Sequence, residues 1–234
     1  MRSRTFVMAA ALIGVTSAVR AQDVGTAPAT SPFRDTEKRQ QVTLLSGLTL
    51  GGRDIAGAAP RGGLARGLRY DIPLGASPLD FTGIIMRQNA SRDILQPGLS
   101  QANRIGGTKS DGLLFLDAAF TLRVTGSKSW RALVPYVTAG AGFAVGSGSV
   151  TDSSNFVFGS RFSPSGGLGI KFAPVRSRWT VRADITNRFY RVPFPQSFRD
   201  STPGIPRIVG VNSKNDWVRN TMMTLGLVRE FGRR

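Results

Sequence analysis

The stretch Leu133-Val134-Pro135-Tyr136-Val137-Thr138-Ala139-Gly140-Ala141-Gly142-Phe143-Ala144-Val145-Gly146 switches between two kinds of side chain at every step. Leu133, Pro135, Val137, Ala139, Ala141, Phe143 and Val145 make one row; Tyr136, Thr138, Gly140, Gly142, Ala144 and Gly146 make the other. Successive side chains of a strand leave opposite faces of its sheet, so this stretch has one apolar face and one of small and polar residues. A membrane-spanning β-barrel needs that division, with the apolar face toward lipid and the small or polar face filling a narrow lumen. Pro135 lies near the strand start, where a missing backbone donor costs least.

Seven further segments repeat the pattern. The first sets Val42, Leu44, Leu48 and Leu50 opposite Thr43, Gly47 and Thr49. The second sets Leu64, Leu68, Tyr70, Ile72 and Leu74 against Gly63, Ala65, Gly67, Arg69 and Asp71. Arg66 interrupts its outward row near the loop end, where a long side chain can reach the headgroups. The third, Leu79 to Arg87, offers Leu79, Phe81, Gly83 and Ile85 with Asp80 and Thr82 opposite; Ile84 and Met86 blur the alternation. The fourth places Leu114, Leu116, Ala118, Phe120, Leu122 and Val124 opposite Asp117, Ala119, Thr121 and Arg123.

Beyond the fifth segment, Leu168, Ile170 and Phe172 alternate with Gly167, Gly169 and Lys171. The seventh reads Trp179, Val181, Ala183 and Ile185 against Thr180, Arg182, Asp184, Thr186 and Arg188. The eighth places Thr221, Met223, Leu225, Leu227 and Phe231 opposite Asn220, Thr224, Gly226 and Glu230, with Arg229 outward near a rim where charge costs little.

The connectors run roughly 10, 5, 22, 7, 17, 6 and 25 residues, long and short in turn, as extracellular loops alternate with periplasmic turns. Turns are expected at Gly75-Ala76-Ser77-Pro78, at Gly126-Ser127-Lys128-Ser129 and at Ala173 to Ser177. Long loops are expected from Gln88 to Ser110, from Ser147 to Phe162 and, rich in proline, from Arg191 to Asp216. Trp130, Trp179, Trp217, Tyr70 and Phe231 fall near strand ends, where an aromatic girdle belongs. The fold expected is all-β: an eight-stranded antiparallel up-and-down transmembrane β-barrel over residues 42–231.

The ends agree with an exported protein. Arg2 and Arg4, an apolar run from Phe6 to Val15, and Ser17-Ala18-Val19-Arg20-Ala21 describe a signal peptide over residues 1–21. Its apolar run is too short to span a bilayer as a helix. Residues 22–41, including Thr26-Ala27-Pro28-Ala29-Thr30-Ser31-Pro32, lack periodicity and read as a flexible periplasmic linker; residues 232–234 form a tail. The expected location is the outer membrane of a Gram-negative-type envelope.

The formal charge is +17, and +14 once Arg2, Arg4 and Arg20 leave with the signal. Nucleic acid is the reflex partner for such a chain, but export and the scatter of the basic residues argue against it. Outer membrane lipids, among them lipopolysaccharide phosphates, are the better physical partner. Cysteine and histidine are both absent, which removes disulfides, thiolate metal sites and the commonest general base and neutral metal ligand.

The pattern resembles the OmpA-like and opacity-protein-like eight-stranded outer membrane barrel families across Val42 to Phe231. Val134 to Phe143 is similar to a mid-barrel strand of those families. Thr224-Leu225-Gly226-Leu227-Val228-Arg229-Glu230-Phe231 resembles their C-terminal targeting signal, which implies recognition by the barrel assembly machinery. No peptidoglycan-binding domain follows the barrel, so peptidoglycan tethering is not implied. Barrel-type outer membrane enzymes resemble one another in needing an active-site histidine, so the resemblance implies a non-enzymatic, porin-like cell-envelope protein, and a monomer.

Neither glycine-rich candidate carries nucleotide chemistry. Gly140 to Gly146 lacks the third glycine spacing and a following helix, and Gly107-Thr108-Lys109-Ser110 lacks the glycine before its lysine. The charged inward residues are more informative. Arg69, Asp71, Asp117, Arg123, Lys171, Arg182, Asp184 and Arg188, with Asp80 and Glu230, would meet in an interior only wide enough for side chains. Unpaired charge there is costly, so they read as an ion-pair network that closes the lumen. Arg87, Arg92, Arg104, Lys109, Arg199 and Arg207 are the candidate loop contacts for anions. No catalytic, cofactor-binding or metal-binding residue is proposed. The function expected is a structural or surface-interaction barrel. The alternatives are a narrow pore or lateral-exit transporter of small solutes, and a soluble, exported lipocalin-like binder.

Overall fold

The computed structural model describes residues 31–146, 155–174, 177, 179–201 and 203–232. The expected signal peptide, the first nine residues of the linker and the last two residues of the tail lie outside them. Eight long strands, β1 Gln40–Gly51, β2 Gly63–Pro73, β3 Leu79–Leu95, β4 Ile105–Arg123, β5 Leu133–Gly146, β6 Ser160–Phe172, β7 Trp179–Pro193 and β8 Asn215–Phe231, pair antiparallel in sequence order. β8 pairs back onto β1, with Leu227 opposite Leu44, and closes the ring.

The register measures how the ring closes. Ile170 faces Ala183, and the row continues through Leu225, Ser46, Arg66, Arg87, Leu114 and Val145 to Ser160. It returns to β6 ten residues from where it began. Such a stagger over eight strands tilts them by roughly 40° and leaves an interior that side chains can fill.

The two faces are sorted in the reverse of a soluble protein. Leu44, Leu48, Leu168 and Leu225 point outward and are 60%, 62%, 61% and 66% exposed, while Arg182 and Arg188, pointing inward, are 3% and 2% exposed. A soluble chain could not present such a continuous apolar surface to water. This overturns the lipocalin-like alternative, which needs its apolar row inside. The belt ends in aromatic contacts: Tyr70 stacks on Phe231 at 6.0 Å, Arg229 lies over Trp179 at 4.7 Å and Arg191 over Trp217 at 4.9 Å.

Several boundaries differ from the sequence expectation. Residues 88–110 are not one loop, because pairing runs on from Gln88 opposite Leu113 to Ile94 opposite Gly107. The hairpin continues past the apolar belt, where neither face needs large apolar residues and alternation no longer marks a strand. β6 begins at Ser160 rather than near Gly166, and β7 runs on to Pro193, for the same reason. Within the expected linker, Phe33–Asp35 pairs with Lys128–Trp130, part of which was expected to be a turn. Arg131 N donates to Pro32 O and Thr36 N to Ser127 O, binding this small ribbon together. Ile84 and Met86, which blurred the third segment, point into the lumen and are buried.

Inward glycines make room for the lumenal side chains. A Cβ on Gly142 would fall 2.0 Å from Leu116 O and 2.5 Å from Asp117 Oδ1, whereas one on outward Gly83 meets nothing within 4 Å. Gly142→Val should therefore abolish the fast-migrating unboiled species in gel electrophoresis of the detergent-folded protein, and Gly83→Ala should retain it.

Candidate functional site

The interior has two layers. The periplasmic half is a connected charged network centred on Arg182 of β7. Its Nη1 donates to Asp71 of β2 at 3.1 Å, its Nε to Asp184 at 2.9 Å and its Nη2 to the other oxygen of Asp184 at 3.0 Å. Arg69 donates to Asp71 at 2.8 Å and to Thr121 of β4 at 2.6 Å. Thr82 of β3 donates to Asp71 at 2.6 Å, and Thr121 bonds Thr138 of β5 at 3.1 Å. Tyr136 of β5 donates to Asp184, with the guanidiniums of Arg69 and Arg182 against its ring at 5.7 and 4.7 Å. Five strands are thus tied through one cluster.

Two satellite pairs flank it. Arg123 grips Asp80 with bonds of 2.5 and 3.0 Å, and Lys171 meets Glu230 at 3.1 Å. The cavity left among these groups is about 20 Å³, lined by Asp71, Asp80, Arg123, Lys171 and Arg182 among others. That is room for about one water. Higher up, Arg188 holds Asp117 at 2.7 and 2.9 Å and lies over the Phe115 ring at 5.1 Å. Asn220 donates to Gln88 at 2.9 Å across the lumen. All eight residues expected in the lumen are buried there.

The extracellular half carries an apolar cluster beside these polar pairs, and no alternation in the connectors announces it. Met86, Leu113, Phe115, Tyr190, Val192, Val218 and Met222 point inward from the strands. Phe156, Phe158, Phe194, Phe198 and Val209, from the connectors between β5 and β6 and between β7 and β8, complete the cluster. Phe158 meets Tyr190 edge to face at 5.4 Å. The apolar residues in those connectors were a signal, but loop aromatics carry no period that says where they pack.

The connector between β1 and β2 is folded down by Asp54, which accepts from Ala59 N at 2.8 Å and Ala56 N at 3.2 Å. Burial pushes its carboxyl pKa up, against the lowering effect of those amides. The folded protein therefore binds a proton at this carboxyl more readily than the unfolded chain does. The contribution to stability is present in acid and is lost as pH rises through the folded-state pKa.

The candidate anion contacts do not form one group. Arg92 is a correction: it is buried at 2%, paired with Asp111 at 3.5 Å and packed over the Phe156 ring at 4.8 Å. Lys109 is in the extended hairpin, not a loop tip, with Arg92 opposite it. Arg104 bonds Pro206 O at 2.6 Å, joining two connectors. Arg199 follows the short turn Gln196–Phe198, partly buried, and Arg207 is exposed. Arg87 is on the outer wall of β3, directly opposite Arg66. A lone arginine facing the bilayer midplane costs about 2–4 kcal/mol, falling to about 0–1 near the interface. Among the described residues no three His, Cys, Asp or Glu side chains are placed to hold a metal.

Eight strands, a stagger of ten, an outward apolar belt and a charged lumen define an eight-stranded outer-membrane β-barrel. Solved structures similar to this chain include neisserial surface protein A, at 12% identity over 82% of this chain and 97% of that one, with a TM-score of 0.48. The N-terminal β-barrel domain of Pseudomonas aeruginosa OprF is 14% identical over 83% and 99%, TM-score 0.39. Ail of Yersinia pestis, solved with the heparin analogue sucrose octasulfate, is 13% identical over 81% and 99%, TM-score 0.39. No protein-family model and no curated protein matches the chain.

Asp71→Asn strips two buried guanidiniums of a shared partner and should cost about 3–5 kcal/mol, read as a lowered urea midpoint for unfolding from lipid vesicles. Replacing both members of the upper pair, Arg188→Met with Asp117→Leu, should leave that midpoint unchanged or raised. A carboxyl NMR titration should place Asp54 above the ordinary aspartate value.

Proposed function

We propose that the chain is a closed, non-enzymatic wall protein of the outer membrane, with a structural and surface-contact role. The observation that carries this is the network joining Arg69, Asp71, Asp184, Arg182 and Tyr136 across the lumen, with an apolar layer of loop aromatics above it. A solute path would need mobile or unpaired polar groups. Here the cations and acids neutralise one another, and the space between them is of the order of one water.

The inward acids Asp71, Asp80, Asp117 and Glu230 are each paired with an arginine or lysine across the lumen, so none is free to meet a substrate. That arrangement supports a non-enzymatic reading. Arg207 and the rim around Arg104, Arg199 and Lys109 supply positive charge for anionic groups of lipopolysaccharide or neighbouring surfaces. Thr224–Phe231, forming the closing strand, is the segment offered to the assembly machinery, and the closed ring needs no second copy.

The folded protein in a planar bilayer should show no stepwise conductance at low or high salt. Discrete, reproducible steps would overturn the closed reading and favour the narrow pore.

A further inference from the structure

Arg66 and Arg87 are directly opposed on the lipid-facing wall, both exposed, and neither takes part in an ion pair or a side-chain hydrogen bond among the described residues. In the row that climbs from Ile170 to Ser160 they are the fourth and fifth steps of eight, so they stand midway up the wall and toward its extracellular half. Their neighbours on the same face are Leu64, Leu68, Ile85 and Leu114, with Ser46 beside Arg66 and Asn89 beyond Arg87 the polar exceptions. Two like charges opposed across a strand pair, in apolar surroundings, repel each other and lose hydration, which an anion between them would reverse.

Immediately below is a second feature. Gly83, Ala118 and Ala141 are consecutive in register and form the small-residue floor of an apolar trough of about 620 Å³, walled by Leu68, Ile85 and Phe143. Arg87 is four residues from Gly83 on the same face of β3, so the cationic pair crowns the trough at its extracellular side. A negative headgroup above an apolar chain matches both parts.

We propose that this wall holds an anionic, phosphate-bearing lipid of the outer leaflet, its phosphate bridging Arg66 and Arg87 and one acyl chain lying along Gly83, Ala118 and Ala141. Long arginine side chains can lift their guanidiniums toward the headgroup level while their stems stay apolar. The site rests on the protein's membrane-spanning fold and is independent of whether the lumen conducts.

The test is native mass spectrometry of the detergent-folded barrel with phosphatidylglycerol and with phosphatidylcholine of the same chains. The unaltered protein should retain the anionic lipid with a preference of roughly tenfold or more, the scale of two arginine contacts. Arg66→Leu with Arg87→Leu should erase that preference, and the unboiled fast-migrating band should persist because apolar residues suit this face. Gly83→Leu, which has open space at its Cβ, should fill the trough and lower retention of both lipids. Equal retention of the two lipids by the unaltered protein, or a preference that survives loss of both arginines, would overturn the phosphate site. Unchanged retention in Gly83→Leu would overturn the acyl-chain seat. Conductance of the same samples separates these outcomes from failure of the closed-lumen reading.

Discussion

Closure of an eight-stranded sheet with a ten-residue stagger is the constraint from which the rest follows. It leaves no free sheet edge within the eight-stranded ring, where a chain in lipid cannot leave one unpaired. It also makes the lumen so narrow that inward side chains from distant strands must touch. Asp71 on β2 and Arg182 on β7 are 111 residues apart in the chain, yet bond at 3.1 Å across it. Because charge without a partner is costly in that space, the inward residues are workable only as a mutually neutralising set.

The same narrowness explains the division along the axis. Toward the periplasm, where no long connector exists, the interior is filled by arginines, acids and threonines with glycines behind them. Toward the outside, long connectors can reach back, and Phe156, Phe158 and Phe198 do so, burying apolar surface over Tyr190 and Phe115. The first layer draws on charge-assisted hydrogen bonds and the second on removing apolar area from water. On the outer wall the lipid makes the opposite demand, and Arg66 and Arg87 are the places where that demand is broken.

Much of the barrel was legible because the membrane imposes a strong local rule. Wherever a strand crosses lipid, apolar and small or polar residues must alternate, as they do through Leu114 to Arg123 and Leu133 to Gly146. Beyond the lipid the rule lapses, and the hairpin through Ala90, Arg92 and Asp111 looked like a loop. Phe33–Asp35 is not legible in the sequence because three residues are too few for a period, and their partners lie about a hundred residues away. The inward charges could be named, since alternation puts them on one face, but not matched.

The sequence by itself determined the fold class, the strand count, the face of most membrane-crossing residues (those of the third segment around Ile84 and Met86 excepted) and the absence of histidine and cysteine chemistry. Those are local properties, set by the period of two and by composition. Tertiary structure alone decided the partners: that Arg182 joins Asp71 and Asp184 while Arg188 takes Asp117, that Arg92 is buried rather than free, and that Arg66 faces Arg87 above a trough. Pairing depends on register and stagger summed around the closed ring, and no single strand contains that information.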